Sequence, residues 1–137
     1  MQVVLRPIGF VRSPYKSMSD APRQGRYSDR ISEIVIYGEF KDGLDGLENC
    51  RYAIVLYWMD RASREKLKVV PPGEKKERGV FSTRSPSRPN PVGLCVVEIL
   101  EIRENILVVR WLDALNNSPV LDIKKYSPEI DCIPQQR

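Results

Sequence analysis

The apolar residues of this chain fall in short runs that are rich in β-branched side chains and separated by turn residues. Runs of this length and composition are typical of β-strands. Arg103-Glu104-Asn105 separates two of the runs and predicts a tight hairpin. The pattern predicts strands at Val3–Val11, Ser32–Phe40, Tyr52–Met59, Cys95–Ile102, Ile106–Trp111 and Pro119–Ile123.

Helical composition is scarce along the chain. Only Arg61–Lys68 has a composition typical of a helix, and Pro71-Pro72-Gly73 is expected to end it. Because helices do not alternate with strands, a parallel βαβ sheet is disfavoured. We therefore expect an all-β fold with one domain over residues 1–137. Its core is expected to be a small β-barrel of mostly antiparallel strands with long loops and a short helix.

The composition is that of an ordinary globular protein, with 42% hydrophobic and 29% charged residues. The longest apolar run, Ala53–Met59, is far shorter than the roughly 20 residues that span a bilayer. The first residues lack the apolar stretch of a signal peptide, so a cytoplasmic location without membrane attachment is expected. The cysteines are Cys50, Cys95 and Cys132, and their wide spacing favours reduced thiols over a metal site.

Histidine is absent from the chain. This excludes Ser-His-Asp and Cys-His catalysis, the H-E-x-x-H metal site and any imidazole general base. Catalysis therefore has to rely on carboxylates, Lys, Arg, Tyr, amides, backbone groups or a reactive cofactor.

The net charge of +4 is unevenly distributed. Residues 61–78 hold seven basic and three acidic residues. Such a segment is either an ordinary solvated surface or a contact for a polyanion such as RNA. The candidate RNA-binding residues are Lys75, Lys76 and Arg78, together with Arg88 in a later loop.

Three connecting segments, residues 12–27, 79–94 and 113–126, are rich in Pro, Arg, Asn and Ser. The second contains Arg84 and Arg88 and no acid, and its prolines restrict the backbone. Rigidly held guanidinium groups suit a carboxylate, a phosphate or a stacked base, although a rigid surface turn is the simpler alternative. The chain has no G-x-G-x-x-G and no G-x-x-x-x-G-K-[ST] motif. A bound adenine cofactor would therefore need another architecture.

Four sequence motifs resemble those of the TrmO/TsaA-like family, also called YaeB-like. Residues 8–14, IGFVRSP, are similar to its opening motif, and residues 21–25, APRQG, match its second motif. Residues 79–94, GVFSTRSPSRPNPVGL, resemble its central signature. Residues 120–126, VLDIKKY, resemble its closing motif V-L-D-I-K-P-Y. The four motifs occur in the family's order and cover nearly the whole chain.

The resemblance implies a homodimeric β-barrel that uses S-adenosylmethionine to methylate N6 of the threonylcarbamoyl-modified adenosine beside the tRNA anticodon. Asn116-Asn117 replaces the Asp-Gly of many relatives, and Met59-Asp60 stands where others have His-Gln. The chain also ends at Arg137 without the C-terminal extension of many bacterial members, so its RNA affinity is expected to come from the barrel. The implied cofactor contacts are Pro22, Arg23, Gln24, Met59, Asp60, Arg84, Leu94, Asn116, Asn117, Ser118 and Pro119.

Methylation of N6 requires a proton acceptor. The available choices are a carboxylate, a phenol, water or the substrate's own carboxylate. The closing motif offers Asp122 and Tyr126 as candidate catalytic residues, although both could instead be structural. Two other functions remain open: a methyltransferase of the same fold with another substrate, and an RNA-binding barrel without catalytic activity.

Overall fold

The computed structural model describes residues 1–135. Its strands are β1 (Gly9–Arg12), β2 (Ile31–Ile36), β3 (Tyr52–Trp58), β4 (Lys68–Val69), β5 (Arg78–Gly79), β6 (Val92–Arg103), β7 (Ile106–Arg110) and β8 (Pro119–Lys125). One short α-helix, α1, covers Pro128–Asp131. Short 3₁₀ helices lie at Gly25–Tyr27, Gly38–Leu44, Leu47–Asn49 and Val80–Ser82. The predicted all-β class is confirmed.

The sheet closes into an antiparallel barrel with strand order β1-β2-β7-β6-β3-β8. Closure occurs where β8 pairs with β1, at Gly9 opposite Val120 and Phe10 opposite Pro119. Each strand of the barrel therefore has a neighbour on both sides, although the two ladders of β6 and of β8 cover different parts of the strand. The predicted hairpin is present, since β6 and β7 are joined by Glu104 and Asn105.

The barrel interior is filled by alternate residues of its strands, as the period of two requires. In β3 the inward side chains are Ala53, Val55 and Tyr57, and all three are buried. The other buried members of this core are Val11, Ile34, Ile36, Cys95, Val97, Leu107, Val109, Leu112, Ala114 and Val120. Most of these side chains are β-branched or small, which explains why the strands of the barrel stand out in the sequence as β-branched runs.

The predicted helix at Arg61–Lys68 is wrong, because residues 61–67 form turns and bends and Lys68 begins β4. Its basic side chains bond to distant loops instead of following a helical face. Arg61 donates to the carbonyl oxygens of Lys16 and Asn116, and Arg64 donates to that of Pro89. Tertiary hydrogen bonds therefore override the local helix propensity.

Two of the predicted strands are also too long. The strand expected at Val3–Val11 begins only at Gly9, and Val3, Val4 and Leu5 are exposed. The backbone of Ile8 still bonds to Val120 and Tyr37, but Pro7 has no amide hydrogen with which to continue the ladder. The strand expected at Ser32–Phe40 ends at Ile36, where the chain turns into a 3₁₀ helix.

Candidate active site

A cavity of about 1050 Å³ opens at one end of the barrel. Its walls come from parts of the chain that lie far apart in sequence and meet because the barrel strands bring their ends together. They are the segment at 18–27, the end of β3 with the following residues 59–72, the Pro-rich segment 83–94 and the segment 113–118. The loops singled out in the sequence thus surround one space.

The loop that carries Pro22, Arg23 and Gln24 is fixed by a close backbone approach at Gly25. A Cβ atom added to Gly25 would lie 2.5 Å from the carbonyl carbon of Trp111 and closer still to its oxygen. Only glycine allows this contact. Gly25 therefore sets the position of the three residues that precede it.

A second set of hydrogen bonds ties the opening turn of the chain to the 113–118 segment. Ser13 Oγ donates to the carbonyl of Ala114 at 2.8 Å, and the Ser13 amide donates to Asn116 Oδ1 at 3.0 Å. The Asn116 amide donates in turn to the carbonyl of Tyr15 at 2.7 Å. The side chain of Asn116 is thus engaged in joining two loops.

Arg88 holds the Pro-rich segment in shape. Its guanidinium donates to the carbonyls of Thr83 at 3.2 Å, Ser85 at 3.0 Å and Val80 at 2.9 Å. A fork with several donors suits this task. Arg88 lines the cavity, but its hydrogen bonds serve the loop that presents Arg84.

Arg84 and Arg23 are the basic groups best placed for a ligand. Arg84 is exposed and makes one long hydrogen bond, from Nη1 to Gln24 Oε1 at 3.3 Å. Arg23 makes no hydrogen bond or ion pair with any other side chain in residues 1–135. Both line the cavity, where basic residues outnumber acidic ones. The acids are Asp60 and Asp113, and the bases are Arg23, Arg61, Lys66, Arg84 and Arg88.

A buried cluster of Tyr57, Cys95 and Asp113 lies where the cavity meets the barrel core. The Tyr57 hydroxyl and the Cys95 thiol both donate to Asp113 Oδ1, the thiol at 3.0 Å. Burial, together with the charge of Asp113, raises the pKa of the Tyr57 hydroxyl and that of the Cys95 thiol well above their usual ranges. Both groups therefore keep their protons at neutral pH.

The Tyr57 ring takes this position because its cross-strand neighbour is Gly93. A Cβ atom on Gly93 would lie within 2.6 Å of the Tyr57 Cε1 and Cε2 atoms and closer still to Cζ. The ring thus lies directly over the glycine backbone.

The structure brings most of the predicted cofactor contacts together. Those that line the cavity are Pro22, Arg23, Gln24, Met59, Asp60, Arg84, Leu94 and Ser118. Asn116 and Asn117 line a separate shallow groove on the outside of the barrel, and Pro119 begins β8. Asn117 adopts φ 72°, a conformation that Asn tolerates better than most residues.

The two candidate catalytic residues lie away from the cavity. Asp122 pairs with Lys124 at 3.3 Å and accepts a hydrogen bond from the Ile123 amide. Tyr126 packs edge-on against Tyr52 and lines a different depression. Neither side chain is among the residues that line the large cavity.

The basic residues of the predicted RNA surface lie on the β4–β5 hairpin. Lys75 and Lys76 are exposed in its turn. Arg78 pairs with Glu74 at 3.0 Å and donates to the carbonyl of Ser82 at 2.8 Å. Within residues 1–135 there is no cluster of side chains suited to a metal ion, and no helix long and apolar enough to cross a membrane.

Sequence reasoning missed Tyr57, Gly93 and Asp113 as cavity residues. In the sequence Tyr57 lies within an apolar run and Gly93 within a motif, and neither has a feature that singles it out. One signal was present: Asp113 directly follows an apolar strand and its short extension, Ile106–Leu112. Polar residues in loops that follow the strands of a rigid scaffold are frequent members of binding and catalytic sites.

The fold and the cavity define a class of protein: a closed antiparallel β-barrel whose loops surround a large cavity. Residues 10–132 match the family described as tRNA-methyltransferase O N-terminal domain. This match covers most of the chain, which therefore belongs to that family. The resemblance found in the sequence is confirmed.

Relatives of similar length carry names that refer to a cofactor. An S-adenosyl-L-methionine-binding protein of Archaeoglobus fulgidus is 70% identical over 97% of this chain and 96% of its own. A probable S-adenosyl-L-methionine-binding protein of Methanothermobacter thermautotrophicus is 58% identical over 97% of this chain and 96% of its own.

Solved structures with the same fold are described as TrmO. One TrmO crystal structure is 31% identical, with a TM-score of 0.84, and the match covers 100% of this chain and 63% of that one. TrmO from Pseudomonas aeruginosa is 29% identical, with a TM-score of 0.81, and the match covers 100% and 62%. The chain thus spans less than two thirds of the length of these solved relatives.

Proposed function

We propose that this chain is an S-adenosylmethionine-dependent methyltransferase that methylates N6 of the threonylcarbamoyl-modified adenosine beside the tRNA anticodon. The observation that carries the proposal is the convergence of separate family motifs on one cavity. Pro22, Arg23 and Gln24 come from one loop, Arg84 from a second and Ser118 from a third. Membership of the tRNA-methyltransferase O family and the names of the relatives support the same reading.

The cavity suits this cofactor in size and chemistry. At about 1050 Å³ it lies at the upper end of the range of small-ligand sites, which leaves room for a nucleoside beside the cofactor. Met59, Leu94 and Leu115 offer apolar contacts for the adenine, and Arg84 suits the cofactor's carboxylate. Gln24, which is hydrogen-bonded to Arg84, provides a side-chain amide that can form hydrogen bonds with polar atoms of the cofactor.

The methyl carbon of the cofactor is already electrophilic, so the protein mainly has to align it with N6 at about 3–3.5 Å. In the reaction the bond from sulfur to the methyl group breaks, and its electron pair stays on sulfur. A bond from N6 to carbon forms, and N6 gives up its proton. Because Asp122 and Tyr126 lie away from the cavity, we assign that proton to water or to the substrate's own carboxylate.

The deciding experiment is incubation of the purified protein with methyl-labelled S-adenosylmethionine and total tRNA, followed by nucleoside analysis. We expect label in the N6-methylated threonylcarbamoyladenosine. Binding of tRNA without transfer would instead identify an RNA-binding barrel. Label in another nucleoside or in a small molecule would identify a methyltransferase of the same fold with a different substrate.

Cofactor binding is tested separately by calorimetry. Arg84→Ala should weaken S-adenosylmethionine binding by about 1–3 kcal/mol, because a charge-assisted hydrogen bond is lost. Arg6→Ala is the matched control, since Arg6 stacks on Phe40 and does not line the cavity. A folded wild-type protein that shows no binding would refute the cofactor assignment.

We propose that tRNA contacts the β4–β5 hairpin, where Lys75 and Lys76 are exposed. Phosphate contacts release counterions, so tRNA affinity should fall steeply as salt rises. Alanine at Lys75, Lys76 and Arg78 together should flatten the salt dependence and raise the KM for tRNA. Alanine at Lys41, Lys124 and Lys125 removes the same charge elsewhere and should have less effect. Equal effects of the two triple variants would refute this surface.

The proposal includes a cytoplasmic homodimer. Exposed apolar side chains at the rim of the cavity support it, because contiguous apolar surface often marks an interface. They include Met18, Tyr27, Val92 and Leu94, which are 59%, 75%, 37% and 48% exposed. Light scattering is expected to give twice the 15.8 kDa mass of the chain. The monomer mass across micromolar concentrations would contradict it.

A further inference from the structure

Asp113 is the more enclosed of the two carboxylates that line the cavity. Asp60 is exposed, whereas Asp113 is partly buried and follows the buried residue Leu112. Asp113 lies outside every motif that carries the family resemblance. Its role in the cavity is therefore left open by the sequence motifs.

The Asp113 carboxylate is oriented from one side only. Tyr57 and Cys95 both donate to its Oδ1 atom. Its Oδ2 atom has no hydrogen-bond partner among residues 1–135. Tyr57 is itself held in place, because its ring lies over Gly93. The cluster thus fixes one oxygen and leaves the second available at the cavity wall.

The charges around the cavity indicate what that oxygen can bind. The surplus of basic residues suits the anionic part of a ligand and repels a cationic part. S-adenosylmethionine carries a sulfonium, and its demethylated product, S-adenosylhomocysteine, has a neutral thioether in the same place. A fixed carboxylate can therefore distinguish the two molecules by a single charge.

We propose that Asp113, positioned by Tyr57 and Cys95, recognises the sulfonium of S-adenosylmethionine and makes the site prefer the methyl donor over its product. This inference rests on the proposed cofactor. Its consequence is that loss of the sulfonium charge during transfer removes an attraction and favours release of the product.

The test measures the affinities of S-adenosylmethionine and S-adenosylhomocysteine for the same variants by calorimetry. Asp113→Asn keeps the shape and the Oδ1 acceptor but removes the charge. We expect it to weaken S-adenosylmethionine binding about tenfold and to change S-adenosylhomocysteine binding by less than about threefold. Asp45→Asn, at an exposed turn outside the cavity, removes the same charge and should leave both affinities unchanged.

Equal weakening of both ligands by Asp113→Asn would overturn the inference, because the carboxylate would then be bonding a group that the two molecules share. Unchanged binding of both would overturn it as well. If the wild-type protein binds neither ligand, the proposed cofactor itself fails. Should Asp113→Asn not fold, Tyr57→Phe is the second variant, since it removes one donor and keeps the ring. It should lower the preference for S-adenosylmethionine about twofold to threefold, and an unchanged preference would overturn the inference.

Discussion

Gly93→Ala tests whether the position of the Tyr57 ring requires a residue without a side chain at Gly93, its neighbour on β6. The added methyl group would lie within 2.6 Å of the Tyr57 Cε1 and Cε2 atoms, well inside van der Waals contact. The ring has little room to move, because Tyr57 is only 4% exposed and its hydroxyl is bonded to Asp113. Overpacking of this kind typically costs about 1–3 kcal/mol of unfolding free energy.

A double-mutant cycle separates this collision from a general effect of the substitution. Tyr57→Val removes the ring and should cost about 2–4 kcal/mol, because it leaves a cavity in the core. In that background the Gly93→Ala methyl group enters vacated space, so the double variant should be more stable than the sum of the single effects by about 1–3 kcal/mol. Urea denaturation followed by circular dichroism gives the required free energies.

The control is Gly43→Ala, because a Cβ atom there meets nothing within 4 Å. Its effect should stay within about 0.5 kcal/mol. Additive effects of Gly93→Ala and Tyr57→Val would show that the ring and the glycine do not interact. A Gly93→Ala variant as stable as the wild type would contradict the packing described for the cavity wall.

Three further predictions concern stability and reactivity. Gly25→Ala should cost about 2–3 kcal/mol in urea denaturation and weaken cofactor binding, because its methyl group collides with the backbone of Trp111; wild-type values for both would contradict it. Burial raises the pKa of Tyr57, so its contribution to stability is present below pH ~10 and is lost as pH rises further. Tyr57→Phe should reduce that alkaline loss, as denaturation at several pH values would show. In alkylation at pH 8 followed by mass spectrometry, exposed Cys132 should react first and Cys95 last, because burial raises the Cys95 pKa.

The barrel could be predicted from the sequence because its strands are short runs of apolar and β-branched residues separated by turn residues. Tyr52–Trp58 is such a run, and in the barrel every second residue of it is buried. The N-terminal segment could not be predicted, because Val3–Leu5 has the composition of a strand but no strand of the barrel pairs with it. The helix expected at Arg61–Lys68 could not be excluded from the sequence either, because long-range hydrogen bonds decide the conformation of this segment.

Residues that line the cavity could be predicted where they belong to recognisable motifs, and could not where strand register alone brings them together. Arg84 and Gln24 lie 60 positions apart in two different motifs, and both line the cavity, where they are hydrogen-bonded. The cluster of Tyr57, Cys95 and Asp113 depends on strand register and on a ring lying over a glycine. Neither is visible in a linear sequence.

The β4–β5 hairpin differs from the rest of the molecule in the way it is held. It forms a separate two-stranded sheet, while Val69 and Val70 in it line the cavity. Two-stranded sheets are marginally stable on their own, whereas barrel strands open only with the whole fold. Part of the cavity wall can therefore open while the barrel stays folded. In the free protein, backbone amides of the hairpin should exchange their hydrogens quickly and those of the barrel strands slowly. Once ligand is bound, exchange in the hairpin should become slower. The rate at which ligand enters and leaves would then be set by local opening of this hairpin.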